Sequence, residues 1–287
     1  MNTELKKTGF SLTEILIAIG ILSVGMIFIA GVFPVGIHLT TIATERTIAA
    51  VTADEAFAKV RIYAEGDLGI TTDNVVLSGL SLNTLMDFNS PAVFLATAAT
   101  AGNIDADEFA YPSDPGINVS DKQYSWFALC RLTEVYPANP NPPVQVTVFV
   151  CRRISPNLQY YQPTIGFAGE IDWTMPLNLG NRPVPIKIAV TPVLVAGHEN
   201  ELAIAYSDAR EIAFINDGYT IVDDATGRIY RVLERYKDDP GTAGTREDST
   251  ILLDRDWQGG TNVWVVPPPV NGGLGPCIAV YQKIIRF

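Results

Sequence analysis

From Ile15 to Phe33 the chain reads ILIAIGILSVGMIFIAGVF, 19 consecutive residues without a charge. As a helix rising about 1.5 Å per residue, this run spans roughly 28 Å, the thickness of a bilayer's hydrocarbon core. Nothing else in the 287 residues approaches it. Val144–Val150 is short, has polar interruptions and carries strand character. The sequence therefore predicts one membrane segment, which also accounts for a mean hydropathy of +0.18 in an acidic chain. Lys6 and Lys7 precede the run. By the positive-inside rule they hold that end in the cytoplasm, so the residues after Phe33 are expected outside the cytoplasmic membrane.

Three kinds of N-terminal segment share this outline. A cleaved secretory signal has a shorter apolar core of about 7–15 residues and a small-x-small cleavage site, which Phe28-Ile29-Ala30-Gly31 matches poorly. A plain signal anchor explains the length but not Glu14, an acid inside the apolar stretch that opens at Phe10. An unpaired acid in a membrane helix costs about 2.5–3.5 kcal/mol on insertion scales, so Glu14 implies a partner.

Lys6-Lys7-Thr8-Gly9-Phe10-Ser11-Leu12-Thr13-Glu14, followed by the long apolar run, resembles the class III leader of type IV prepilins and type II secretion pseudopilins. That pattern is a short basic leader ending in Gly, then Phe, then an acid four residues on, then a hydrophobic helix. The resemblance covers about the first 60 residues. It implies cleavage between Gly9 and Phe10 by a membrane prepilin peptidase, N-methylation of Phe10, and assembly with other pilin or pseudopilin subunits on an inner-membrane platform. Cleavage would leave an ammonium group on Phe10 at the bilayer interface, and Glu14 would be its counter-charge. In low dielectric such a pair is much stronger than in water, offset by the desolvation of both ions. The resemblance implies a structural subunit, not an enzyme. It would be single-pass in the inner membrane with its head exported, and later part of a periplasmic or surface filament serving a pilus or protein transport. Residues 66–287 make a larger head than shaft-forming subunits of this family usually carry, which points to a minor subunit. Against a tip-capping one, Glu14 is present. The reading from another class is a signal-anchored exported binding protein or enzyme that does not polymerise.

Pro34 ends the apolar run. A proline inside a helix removes one backbone bond and clashes with the carbonyl of residue 30, so a kink is expected there. Beyond it Ile42, Ala49, Ala53, Ala56 or Phe57, Val60 and Tyr63 recur at helical steps, broken once by Arg46. Thr44, Glu45, Thr52, Asp54, Glu55, Lys59 and Arg61 are expected on the opposite, polar face. The helix is expected to stop at Gly66-Asp67. The resulting division is a leader over 1–9, a transmembrane half-helix over 10–33, an amphipathic half-helix over 34–65, a mixed insertion over 66–122 and a β-rich head over 123–287. The fold class is α+β: a long kinked N-terminal helix packed on a largely antiparallel β head, a pilin-like plan.

Within the insertion, Leu77–Met86 and Pro91–Thr100 suggest short helices, and Tyr111-Pro112-Ser113-Asp114-Pro115-Gly116 a turn. Strands are expected at Tyr124–Glu134 and Val144–Ser155, joined by the proline- and asparagine-rich link 137–143. Others are expected at Pro185–Val195, Glu211–Ile215, Tyr219–Asp223, Arg228–Tyr236, Ser249–Asp254, Val263–Val266 and Cys277–Arg286. Asp223-Asp224-Ala225-Thr226-Gly227 reads as a tight hairpin turn with its Gly at positive φ.

Little in the head suggests catalysis. The two histidines are His38, just past the apolar run, and His198, in a loop where a solvated role is expected. No Gly-x-Ser-x-Gly elbow, phosphate loop or His-rich metal motif occurs. A formal charge of −11 without a Lys/Arg-rich run argues against nucleic acid as the main partner, and none is expected. No cofactor is expected. Asp105-Ala106-Asp107-Glu108, Asp217, Asp223-Asp224 and Asp238-Asp239 are oxygen-rich enough for structural calcium, yet lack EF-hand spacing and read better as solvated turn acids. Cys130 and Cys151 fall on the two arms of the long hairpin. If its centre lies near residues 140 and 141 they would be roughly opposite, leaving a cross-strand disulfide and free buried thiols as alternatives. Cys277 is expected to be buried and unpaired. Tyr160-Tyr161, Trp173, Trp257 and Trp264 suit either a binding surface or a β core.

Overall fold

The computed structural model describes residues 11–67, 109–114, 116–118, 121–133, 143–164, 169–193, 197–236 and 249–286. Gly9, Phe10, the expected helices at 77–86 and 91–100, the acidic clusters at 105–108 and 238–239, and the hairpin link at 137–142 lie outside them.

Helix α1 runs from Leu12 to Asp67 without interruption, Pro34 included. Its first turn opens on the Ser11 carbonyl, which accepts the N–H groups of Glu14 at 3.0 Å and Ile15 at 3.2 Å. The chain divides at Thr47 into two compact units, so α1 begins in one and ends in the other. In the first unit the apolar side chains from Leu12 to Leu39 are exposed. In the second unit Ala49, Thr52, Ala53, Ala56, Phe57 and Val60 form a buried stripe at helical spacing. Thr52 corrects its expected place on the polar face. It stands three residues after Ala49 and four before Ala56, and so shares their side of the helix.

The second unit also holds twelve short strands, all paired antiparallel among the described residues. They are β1 (Ala110–Tyr111), β2 (Tyr124–Leu132), β3 (Val144–Arg152), β4 (Tyr160–Tyr161), β5 (Leu179–Gly180), β6 (Ile186–Pro192) and β7 (Glu201–Ile204). The rest are β8 (Thr220–Asp223), β9 (Ile229–Arg235), β10 (Thr250–Leu253), β11 (Asn262–Val265) and β12 (Cys277–Ile285). Four make a sheet in the order β1-β2-β3-β12, and β4 pairs with β5. Six close into a barrel in the order β10-β7-β6-β11-β8-β9, which strand patterning alone does not predict.

The two faces of the sheet have different neighbours. Lys283, opposite Val146, reaches Asp54 of α1 and lies over the Phe57 ring. The adjacent Gln282, opposite Thr147, donates instead to the Gly227 carbonyl between β8 and β9. Because successive strand side chains alternate, α1 covers one face and the barrel wall the other. Ile221, Val263 and Val265 fill the barrel, whereas their neighbours Val222, Trp264 and Val266 join the sheet's core. β8 and β11 are thus buried on both sides.

Two local expectations change. Glu211–Ile215 is not a strand; residues 209–214 form a 3₁₀ turn capped by Asp208, whose carboxylate accepts the Arg210 N–H. β7 and the two-residue strands β1, β4 and β5 fall outside the strands expected above. The turn at 223–227 forms as read: Gly227 has φ of +69° and donates its N–H to the Asp223 carbonyl at 2.8 Å.

Candidate functional site

Among the described residues one helix is long and apolar enough to cross a membrane, the stretch Leu12–Arg61 of α1. By length and composition it is a candidate membrane anchor or signal sequence. Its polar groups are arranged accordingly. Ser23 donates its hydroxyl to the Ile19 carbonyl at 2.8 Å, and Thr40, Thr41, Thr44 and Thr47 each donate to the carbonyl four residues earlier. Hydroxyls satisfied inside the helix can enter an apolar medium without the cost of an unmade hydrogen bond. Glu14 is exposed in the first helical turn. There the unpaired N–H groups and the helix dipole favour a negative charge, a local stabilisation separate from any partner in the membrane. Pro34 supplies no N–H to the Ala30 carbonyl, and the helix carries on past it.

Around the docked half of α1 the contacts are ionic at the rim. Lys59 pairs with Glu55 at 2.9 Å, and Ser113 bridges the same two side chains. Lys283 Nζ lies 2.6 Å from Asp54 Oδ1, both groups well exposed. A groove of about 610 Å³ follows this edge, lined by Phe57, Arg61, Lys283 and Arg286 among others.

Cys130 and Cys151 are free buried thiols, the second of the two arrangements left open above, and they do not face each other. Cys130 stands opposite Val146 and Cys151 opposite Ser125, so they are not cross-strand neighbours. Strand parity sends Cys130 to the helix face and Cys151 to the barrel face. Their register follows from Leu132 pairing directly with Val144, which centres the hairpin nearer residue 138 than residues 140–141. Cys277, half-buried and not isolated, stands opposite Cys151. All three are free thiols. Burial first, then hydrogen bonding and charge from Cys277, push the Cys151 thiol well above the usual range. Burial alone pushes Cys130 up.

The other candidate residues serve the fold. Tyr160, Tyr161 and Trp264 are buried, and Trp264 donates its indole N–H to Asp224 at 2.8 Å. Trp173 packs on Tyr161 and Phe214 with Arg210 over its ring, and Trp257 packs on Tyr230. His198 bonds Glu201 through Nδ1 at 2.8 Å instead of standing free in solvent. Asp217 accepts the Arg235 N–H at 2.7 Å. Among the described residues no three of His, Cys, Asp and Glu gather as a metal-binding group. No family model, curated protein or solved structure matches the chain.

Proposed function

We propose that this chain is a structural subunit, of the minor kind, of a type IV pilus or type II secretion pseudopilus. Its leader would be removed between Gly9 and Phe10, Phe10 methylated, and the mature helix used first as a membrane anchor and then as filament core. The observation carrying this reading is the division of labour along α1. Apolar side chains stay exposed from Leu12 to Leu39, whereas the small-residue stripe from Ala49 to Val60 is buried with an antiparallel sheet. A helix needed only as a tether gains nothing by continuing into the core of the domain it carries. A helix that delivers a head to a filament surface requires that continuity, because the head must follow the helix as it leaves the bilayer. Small residues in the stripe let the helix backbone lie close to the sheet.

Mass spectrometry of the full chain, expressed in membranes with an active prepilin peptidase, tests the reading. A mature N-terminus beginning at methylated Phe10 is expected. An intact Met1 under those conditions overturns it and leaves the non-polymerising anchored protein.

A further inference from the structure

Cys151 closes the sheet side of the neck from which the barrel springs, and Cys277 is the residue at which the chain returns. Every barrel strand, β6 to β11, lies between them in sequence. The two are opposite one another in the β3–β12 pairing. The flanking hydrogen bond runs from the Arg152 N–H to the Pro276 carbonyl at 2.8 Å, one residue outside the pair. That makes Cys151 and Cys277 a non-hydrogen-bonded pair, the antiparallel position where Cα atoms approach to about 4.5 Å and side chains are closest. This separation falls in the range a disulfide spans without moving the backbone. Cys277 is also the neighbour that, after burial, raises the Cys151 thiol. Directly beyond Cys277 the register shifts, and its sulfur turns toward the Ala279 carbonyl at 3.7 Å. The hydroxyl oxygens of Tyr160 and Tyr219 are both buried.

We infer that Cys151 and Cys277 are a disulfide-forming pair that staples the neck between sheet and barrel once the head reaches an oxidising compartment. The compartment rests on the export reading above; the pairing does not. The oxidant is a disulfide, carried by a small molecule or a thiol oxidase. The half-buried Cys277, as thiolate, attacks one oxidant sulfur and releases the other as a thiol. Cys151, losing its proton, then attacks the Cys277 sulfur and releases the second thiol. Two protein S–H bonds break and one S–S bond forms, while the two electrons reduce the oxidant to two thiols. Cys130, on the opposite face of the sheet, takes no part.

The test treats the purified full chain with oxidised glutathione, blocks remaining thiols under denaturing conditions and maps peptides without reduction. A Cys151–Cys277 linked peptide 2 Da lighter than its parts is expected, with Cys130 blocked. The loop closed is long, so the oxidised protein should melt roughly 5–15 °C above the reduced one. Cys130→Ser should keep that difference and Cys277→Ser abolish it. Cys277 remaining as a mixed disulfide with glutathione, or a link through Cys130, overturns the pairing. Protease access to the head in spheroplasts, whose inner membrane stays sealed, reads export separately. A protected head with an in vitro link overturns the export reading alone. An accessible head in which both cysteines are free overturns the staple.

Discussion

Gly260 donates its backbone N–H to the Asp223 carboxylate at 2.7 Å, deep enough that Asp223 is fully buried. The other carboxylate oxygen accepts the Thr226 N–H at 2.6 Å and the Thr226 hydroxyl. One buried anion therefore ties the β8–β9 turn to the segment leading into β11. Removing it strands three donors at once. Asp223→Ala should destabilise the head by about 3–5 kcal/mol, since hydrogen bonds to a charged group are worth roughly 1.5–3 kcal/mol each and are not additive. Urea unfolding followed by tryptophan fluorescence measures this, and a loss below 1 kcal/mol would contradict the tie.

Beside it, a Cβ on Gly259 would fall 2.4 Å from the Trp257 ring and 2.5 Å from Asp223. Gly259→Ala is expected to cost about 1–3 kcal/mol as an overpacking change. An unchanged unfolding midpoint would show that Trp257 yields freely.

The helix stripe gives opposite signs at adjacent positions. Thr52 is buried with its hydroxyl unsatisfied, so Thr52→Val should stabilise by about 1 kcal/mol by removing an unpaired polar group at nearly constant shape. Ala56 is equally buried, and Ala56→Leu, which adds three carbons to a packed stripe, should destabilise by about 1–3 kcal/mol. Thermal unfolding of the two variants separates these effects; a shared sign would mean the stripe is not close-packed.

Arg210 holds the Asp208 carboxyl at about 2, below an ordinary 3.8, through its side chain first and its backbone N–H second. A depressed value in the folded state favours folding above the ordinary value and loses that contribution as pH falls from about 3.8 through about 2. The ion pair lies at the surface, where solvent screens it, so the effect on stability is small. Carboxyl NMR titration should place Asp208 in this range, and Arg210→Ala should return it toward the ordinary value.

For the filament proposal, Glu14→Val should be processed normally yet enter filaments poorly, while a bulky residue at Gly9 should leave unprocessed precursor. Immunoblots of membranes and sheared filaments read both. Wild-type incorporation of Glu14→Val would remove the charge pair from the mechanism and leave Glu14 its place in the first helical turn.

What could be read from the sequence was what depends on near neighbours. The Ile15–Phe33 run, the stripe from Ala49 to Val60 and the Asp223–Gly227 turn are local patterns, and each appears in the structure. Glu211–Ile215 misled because Ile212-Ala213-Phe214-Ile215 is a short apolar run of strand length, whereas Asp208 caps it into a 3₁₀ turn. β7 was hidden by its opening Glu201, a buried acid tolerated because His198 and Tyr236 bond it. Barrel closure depends on β10 pairing with both β7 and β9, and the Cys151–Cys277 pairing joins strands separated by the whole barrel. Contacts between such distant segments leave no periodic trace. The Gly9–Phe10 junction, by contrast, is legible only as a motif and lies outside the described residues.

The placement of the barrel between β3 and β12 also sets an order of assembly during synthesis. β2 and β3 leave the ribosome early, but β3 keeps an unpaired edge until β12 arrives after all six barrel strands. Over that interval the growing chain carries an open, largely apolar strand edge, the kind that recruits other chains. A chain cut short before Cys277 would keep that edge open, so loss of the last strand is expected to cost solubility as well as stability.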